Sequence, residues 1–114
     1  MSMTVTARRI DDVVILDLEG RITIGDGSVV LRDYLQDLMK NDDRQFLLNL
    51  ADINYVDSSG LGQLVSSYTA VRNQDGQLKL LNLTHRIRDL MKITKLLTVF
   101  DVFEDETQAL KSFR

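Results

Sequence analysis

The sequence predicts an α/β protein, a mixed and mostly parallel sheet that opens with an antiparallel hairpin and is flanked by about four helices. Three observations carry this. Between Thr4 and Glu19 there are two strand-like runs with Asp11-Asp12 as the turn between them. From Ser28 onward, stretches of helical apolar spacing alternate with short strand-like runs. Phe46-Leu47-Leu48-Asn49-Leu50 is almost continuously apolar, the pattern of a strand buried on both faces. Strand and helix in alternation give right-handed βαβ crossovers, and so parallel strands beside an antiparallel edge.

Each element has its own reason. Val13-Val14-Ile15-Leu16-Asp17-Leu18 is rich in β-branched residues and makes the second arm of the hairpin. The glycine-punctuated stretch Gly20 to Gly27 reads as a crossing loop with room for a short extended piece. Val30, Leu31, Tyr34, Leu35, Leu38 and Met39 then mark an amphipathic helix from Ser28 to Lys40, ended by Asn41-Asp42-Asp43. After the central strand Phe46 to Leu50, a loop from Ala51 to Val56 leads to a helix running to Asn73. Gln74-Asp75-Gly76-Gln77 is a turn into a strand, Leu78 to Leu83. Thr84 caps a short helix carrying Ile87, Leu90 and Met91. A last strand is expected at Thr98 to Val102 and a closing helix at Glu104 to Phe113.

At 114 residues the chain is one domain by size, residues 1–114, with no repeat, linker or proline. No cysteine is present and His85 is the single histidine, so disulfides, thiolate metal sites, a cysteine nucleophile and a His-rich metal cluster are excluded. A formal net charge of −3 without a basic tract argues against nucleic acid as a partner. No apolar run reaches the length of a membrane span, and the N-terminus lacks the regions of a signal peptide, so a cytoplasmic location is expected.

The stretch that stands out is Asp57-Ser58-Ser59-Gly60-Leu61-Gly62. Asp, Ser and Ser stand where a helix should begin, and Leu61, Leu64, Val65, Tyr68 and Val71 follow at helical spacing. Free N–H groups and the positive end of the macrodipole favour an anion there. Capping, with Asp57 or Ser58 satisfying the first N–H groups, leaves two adjacent hydroxyls unaccounted for. It does not explain two glycines in one turn, each costing up to about 1 kcal/mol relative to Ala, and these predict a close approach to the backbone.

The other chemistries are poorly provided for. A serine nucleophile would need His85, which falls at the start of a different helix, and no Gly-x-Ser-x-Gly elbow exists. Gly60-Leu61-Gly62 matches two glycines of a dinucleotide fingerprint, but Val65 stands where the third belongs and there is no phosphate-loop lysine. Asp11-Asp12, Asp42-Asp43 and Glu104-Asp105-Glu106 sit at turns or helix starts and read as turn formers and dipole partners. Nothing in the spacing asks for a Mg²⁺ site on Asp26 and Asp57. Ile22, Ile24 and Tyr55 either close the loop over the core, the preferred reading, or face a partner.

Asn49-Leu50, Tyr55-Val56-Asp57-Ser58-Ser59-Gly60-Leu61-Gly62 and Gln74-Asp75-Gly76-Gln77-Leu78-Lys79-Leu80 together resemble the anti-sigma factor antagonist family, the bacterial STAS domains, over nearly the whole chain. The resemblance implies a STAS-like mixed sheet and a partner switch without catalysis or cofactor. In that family the unphosphorylated protein binds an anti-sigma factor, often also a serine protein kinase, and so releases a sigma factor. The kinase phosphorylates the serine after the motif's Asp, and a metal-dependent serine phosphatase reverses this. Carried over by position, Ser58 is the phosphoacceptor with Ser59 its rival. Asp57, Ser59, Gly60, Leu61 and Gly62 belong to the docking surface, joined by Arg21 and Thr23 beside the serine. Where many antagonists carry Gly-Glu-Leu-Asp, this chain has Gly20-Arg21-Ile22-Thr23, losing two acids and gaining a base. The alternatives are a STAS-like scaffold that is not phosphorylated and a small nucleotide-binding module.

Overall fold

The computed structural model describes residues 3–25 and 27–113. Two strands come first, β1 (Met3–Ile10) and β2 (Val13–Ile22), followed by α1 (Gly27–Lys40), β3 (Gln45–Val56) and α2 (Ser58–Asn73). The chain continues through β4 (Gln77–Leu81), α3 (His85–Ile93), a 3₁₀ turn (Leu96–Thr98), β5 (Val102–Phe103) and α4 (Glu106–Lys111). The strands lie in chain order, β1 antiparallel to β2 and every later neighbour parallel. This is the expected mixed sheet with its antiparallel hairpin and four helices. Asp11 takes the left-handed conformation in the turn, φ 54°, which a short polar side chain tolerates.

The two faces of the sheet differ in thickness. Val14, Leu16 and Leu18 on β2 alternate with Val13 and Ile15, and the first set joins Phe46 and Leu48 under α1, α2 and α3. Leu31, Leu64 and Met91 close this main core from the helices, and all three are fully buried. Full burial of an aliphatic side chain stabilises the fold by about 1.5–3 kcal/mol, so this layer dominates stability. The opposite face has a small core, Val13, Ile15, Leu47 and Leu81 beneath Ala109 and Phe113 of the C-terminal segment. Polar groups continue it. The Arg8 guanidinium donates to Asp17 at 2.6 and 3.0 Å and to Glu106 of α4 at 2.8 Å, and Asn49 Nδ2 donates to Asp17 at 2.8 Å. Buried Lys79 donates from Nζ to the Ser112 carbonyl and hydroxyl, each at 3.0 Å.

Three expectations need correction. The stretches Gly20–Ile22 and Ala51–Val56, expected as loops, are strand, Gly20 pairing with Ile53 and Ile22 with Val56 across register shifts. These irregularities break the period-two alternation, leaving Leu50, Ile53 and Val56 buried three apart, a spacing that does not read as strand. The last strand is Val102–Phe103, because residues 96–98 wind into a 3₁₀ turn under Lys95 at φ 64°. The closing helix covers only Glu106–Lys111, begun by the Asp105 carboxylate accepting from Gln108 N.

Candidate functional site

The long pairing of β2 with β3 brings their carboxyl ends level, and both following helices start there. Asp57 is the N-cap of α2 in extended conformation, φ −93°. Its N–H donates to the Ile22 carbonyl at 3.3 Å. One carboxylate oxygen accepts from Gly60 N at 2.7 Å and the other from Ile24 N at 3.1 Å. The single side chain therefore joins the first turn of α2 to the loop after β2. The Gly60 N–H holds the Asp57 carboxyl below the usual carboxylate range; desolvation opposes the shift, and the Ile24 and Ser59 N–H groups add to it. Asp57 is ionised at neutral pH.

Ser58, the first helical residue, is exposed, and Ser59 beside it is half-buried. The two glycines of the motif have opposite roles. A Cβ on Gly60 would lie 2.0 Å from the Ile22 carbonyl oxygen, so the close approach predicted for this residue is made by the protein's own β2. Gly27 does the same at the start of α1, where a Cβ would lie 2.2 Å from the Arg21 carbonyl oxygen. Two glycines thus let two helix starts clamp the end of one strand. Gly62 is exposed with nothing within 4 Å of the Cβ position. Leu61, between them, is a core residue at 7% exposure.

The remaining predicted residues are divided by the structure. Arg21 is exposed on β2 opposite Tyr55, at the end of the sheet where Ser58 lies. Thr23 is half-buried, its carbonyl accepting from Ser28 N at 3.3 Å in the first turn of α1. Of the three apolar residues preferred as core, only Ile22 is buried; Ile24 is 76% and Tyr55 43% exposed. The Ile24 N–H is held by Asp57. No sequence signal announces that link, since it joins residues distant along the chain through one carboxylate.

His85 opens α3 behind its Thr84 cap and pairs with Asp89 at 3.2 Å. Asp26 lies outside the described residues, and among the described residues no group of His, Cys, Asp and Glu side chains could hold a metal ion. The start of α2 is poorly suited to cradling a nucleotide phosphate, because Asp57 occupies the Gly60 N–H and Ile22 fills the space beside it.

The family model for the STAS domain matches residues 4–109. This chain belongs to the STAS domain family. Among its relatives, the anti-sigma-B factor antagonist of Bacillus subtilis (strain 168) is 31% identical over 102 residues, 90% of this chain and 92% of that protein. An anti-sigma factor antagonist from Mycobacterium paratuberculosis shares the fold with a TM-score of 0.86 at 18% identity, covering 99% of this STAS domain and 95% of that chain. The Bacillus cell fate determinant SpoIIAA in its phosphorylated form has a TM-score of 0.75 at 17% identity, covering 97% and 100% of the two chains, and it is also known unphosphorylated. The five-stranded sheet of this STAS domain, antiparallel only at β1, is the fold of these proteins. No helix among the described residues is long and apolar enough to cross a membrane.

Proposed function

We propose that this STAS domain, residues 1–114 as one unit, is a cytoplasmic anti-sigma factor antagonist that works as a phosphoprotein switch, with Ser58 as acceptor. The observation that carries this is the exposed Ser58 hydroxyl at the start of α2, beside a carboxylate that already caps the helix from within. Since Asp57 makes the cap, Ser58 is spare for chemistry. The half-burial of Ser59 favours Ser58 over it. The kinship with the Bacillus subtilis antagonist and the two forms of SpoIIAA support the reading.

In the switch, the Ser58 Oγ attacks the terminal phosphorus of ATP on a serine protein kinase. The Oγ–P bond forms, the bond to ADP breaks, and the hydroxyl proton passes to a base of the kinase. A metal-dependent serine phosphatase returns the hydroxyl by hydrolysis. The catalysis belongs to those partners, and this chain supplies the acceptor and the docking surface around it, Asp57, Ser59, Gly62, Arg21 and Thr23. Leu61, carried over with them from the sequence, is buried in the core and, like Gly60, supports that surface from inside. A phosphoserine adds about −1.5 to −2 charges and three acceptor oxygens. The helix dipole stabilises an anion there by about 0.3–1 kcal/mol, and repulsion from ionised Asp57 works against it. The fold persists, and a partner seated on the unmodified surface meets new bulk and charge. The unphosphorylated form therefore binds the anti-sigma factor and frees a sigma factor.

The test is the Ser58→Asp variant against its anti-sigma partner. The switch predicts weakened binding with an unchanged melting temperature. Unchanged binding would favour a scaffold that is not regulated by phosphate.

A further inference from the structure

Two large apolar side chains among the described residues are more than three-quarters exposed, Ile24 at 76% and Ile93 at 79%. Ile24 lies at the proposed switch end. Ile93 does not: β5 is parallel to β4, so α3 between them runs back along the sheet and carries Ile93 away from the start of α2. Ile87 and Met91 face the core from α3, and helical spacing puts His85, Arg86, Asp89, Lys92 and Ile93 together on its outer side, where all five are exposed. An aliphatic side chain in the middle of a charged helix face gains nothing from the fold.

Lys95 is a second anomaly. Among the described residues the other non-glycine positions at positive φ are Asp11, Asp42, Asp75 and Asn82, short polar types that tolerate it. Lys95, at φ 64°, stands just past the end of α3, where glycine is the usual residue. The helix dipole does not call for it, since Lys92 already occupies the last turn. Residues 85–98 hold four bases, Arg86, Arg88, Lys92 and Lys95, against the one acid Asp89, in a chain of net charge −3. Arg88 reaches Glu104 at 3.5 Å and Asp89 pairs with His85 at 3.2 Å. Among the described residues Arg86, Lys92 and Lys95 have no acidic partner.

We propose that the outer face of α3, with Lys95, is a second binding surface, independent of Ser58, that rests on an anionic phospholipid membrane. Ile93 enters the boundary of the acyl chains, and Arg86, Lys92 and Lys95 meet the headgroup phosphates. Unpaired cations around one protruding apolar side chain complement such a surface in charge and in polarity. Four side chains fall far short of the about 20 or more residues a side that a stable protein interface uses. A membrane needs no matching shape, and this favours lipid over an acidic protein.

Wild type, Lys95→Gly, Ile93→Ser and Lys111→Gln would be sedimented with vesicles of phosphatidylcholine alone and of phosphatidylcholine with about one-third phosphatidylglycerol, at about 50 mM salt. Wild type should bind the anionic vesicles only, and release them at about 500 mM salt. Lys95→Gly relieves the left-handed strain, so it should melt at or above the wild-type temperature and yet bind about fivefold more weakly. Ile93→Ser should weaken binding about tenfold. Lys111, exposed on α4, is the control, and its replacement should leave binding unchanged. No binding of wild type to anionic vesicles, equal binding to neutral ones, or wild-type binding by both Lys95→Gly and Ile93→Ser would overturn the proposal. Capture of wild type by immobilised poly-glutamate without binding to vesicles would overturn it in favour of an acidic protein segment.

Discussion

At the level of single residues, the start of α2 separates two glycines that look alike on paper. A methyl group on Gly60 would press on the Ile22 carbonyl, backbone against backbone, and neither partner can rotate away. Gly60→Ala should therefore destabilise the protein by about 3 kcal/mol in urea unfolding, whereas Gly62→Ala should stabilise it by up to about 1 kcal/mol. Equal effects would contradict the division of roles. The sequence shows that both glycines are anomalous for a helix, but not which one the protein fills itself, because that depends on where β2 ends. Asp57 carries a second prediction at this scale. Its folded-state pKa lies below its unfolded value, so its contribution is fully present above the unfolded value and is lost as pH falls through the folded one. Asp57→Asn should melt lower than wild type at pH 7, and the gap should close in acid, as followed by circular dichroism. A cap from Asp57 or Ser58 was legible from residue types alone, whereas the choice of Asp57, which leaves the serine spare, and the bond from Ile24 N to that acid were not.

Among the elements, helices were easier to read than strand ends. α2 begins at an Asp-Ser-Ser start and ends near Asn73, as its capping residues and apolar spacing indicate. The outer halves of β2 and β3 were hidden, since shifted register leaves Ile53 and Val56 in a pattern with no strand period. That hidden pairing levels the two strand ends and sets Arg21 opposite Tyr55. α4 is a short element, six residues held over a thin core by Arg8–Glu106 and by Lys79 on Ser112 just beyond it. Lys79 sits 4.8 Å over the Phe113 ring, so its stem is part of the packing as well. Lys79→Met keeps the stem and removes the donor, and should cost about 1–2 kcal/mol. Hydrogen exchange should become faster in α4 and stay unchanged in α2. Faster exchange throughout would mean that Lys79 supports the whole sheet and not the closing helix.

Across the whole molecule, the proposed switch end and α4 are separate. Ser58 stands at the carboxyl ends of β2 and β3 on the side of the main core, and α4 covers the opposite face. Ser58 is exposed, so the phosphorylated protein should melt within a few degrees of the unmodified one. Acid stability is a property of the whole as well. Arg8 holds the Asp17 carboxyl low, Arg9 does so for Asp43, and the Gly60 N–H for Asp57. Each folded pKa lies below its unfolded value, so stability should be level above about pH 4 and decline as pH falls through the depressed values. The proposed regulation rests on one hydroxyl, and one measurement tests it most directly. The protein would be incubated with ATP and its anti-sigma serine kinase, the phosphate mapped by mass spectrometry, and kinase binding measured before and after. Phosphate on Ser58, and loss of binding once it is there, are the expected results. Phosphate on Ser59, or full occupancy of Ser58 with binding unchanged, would contradict it.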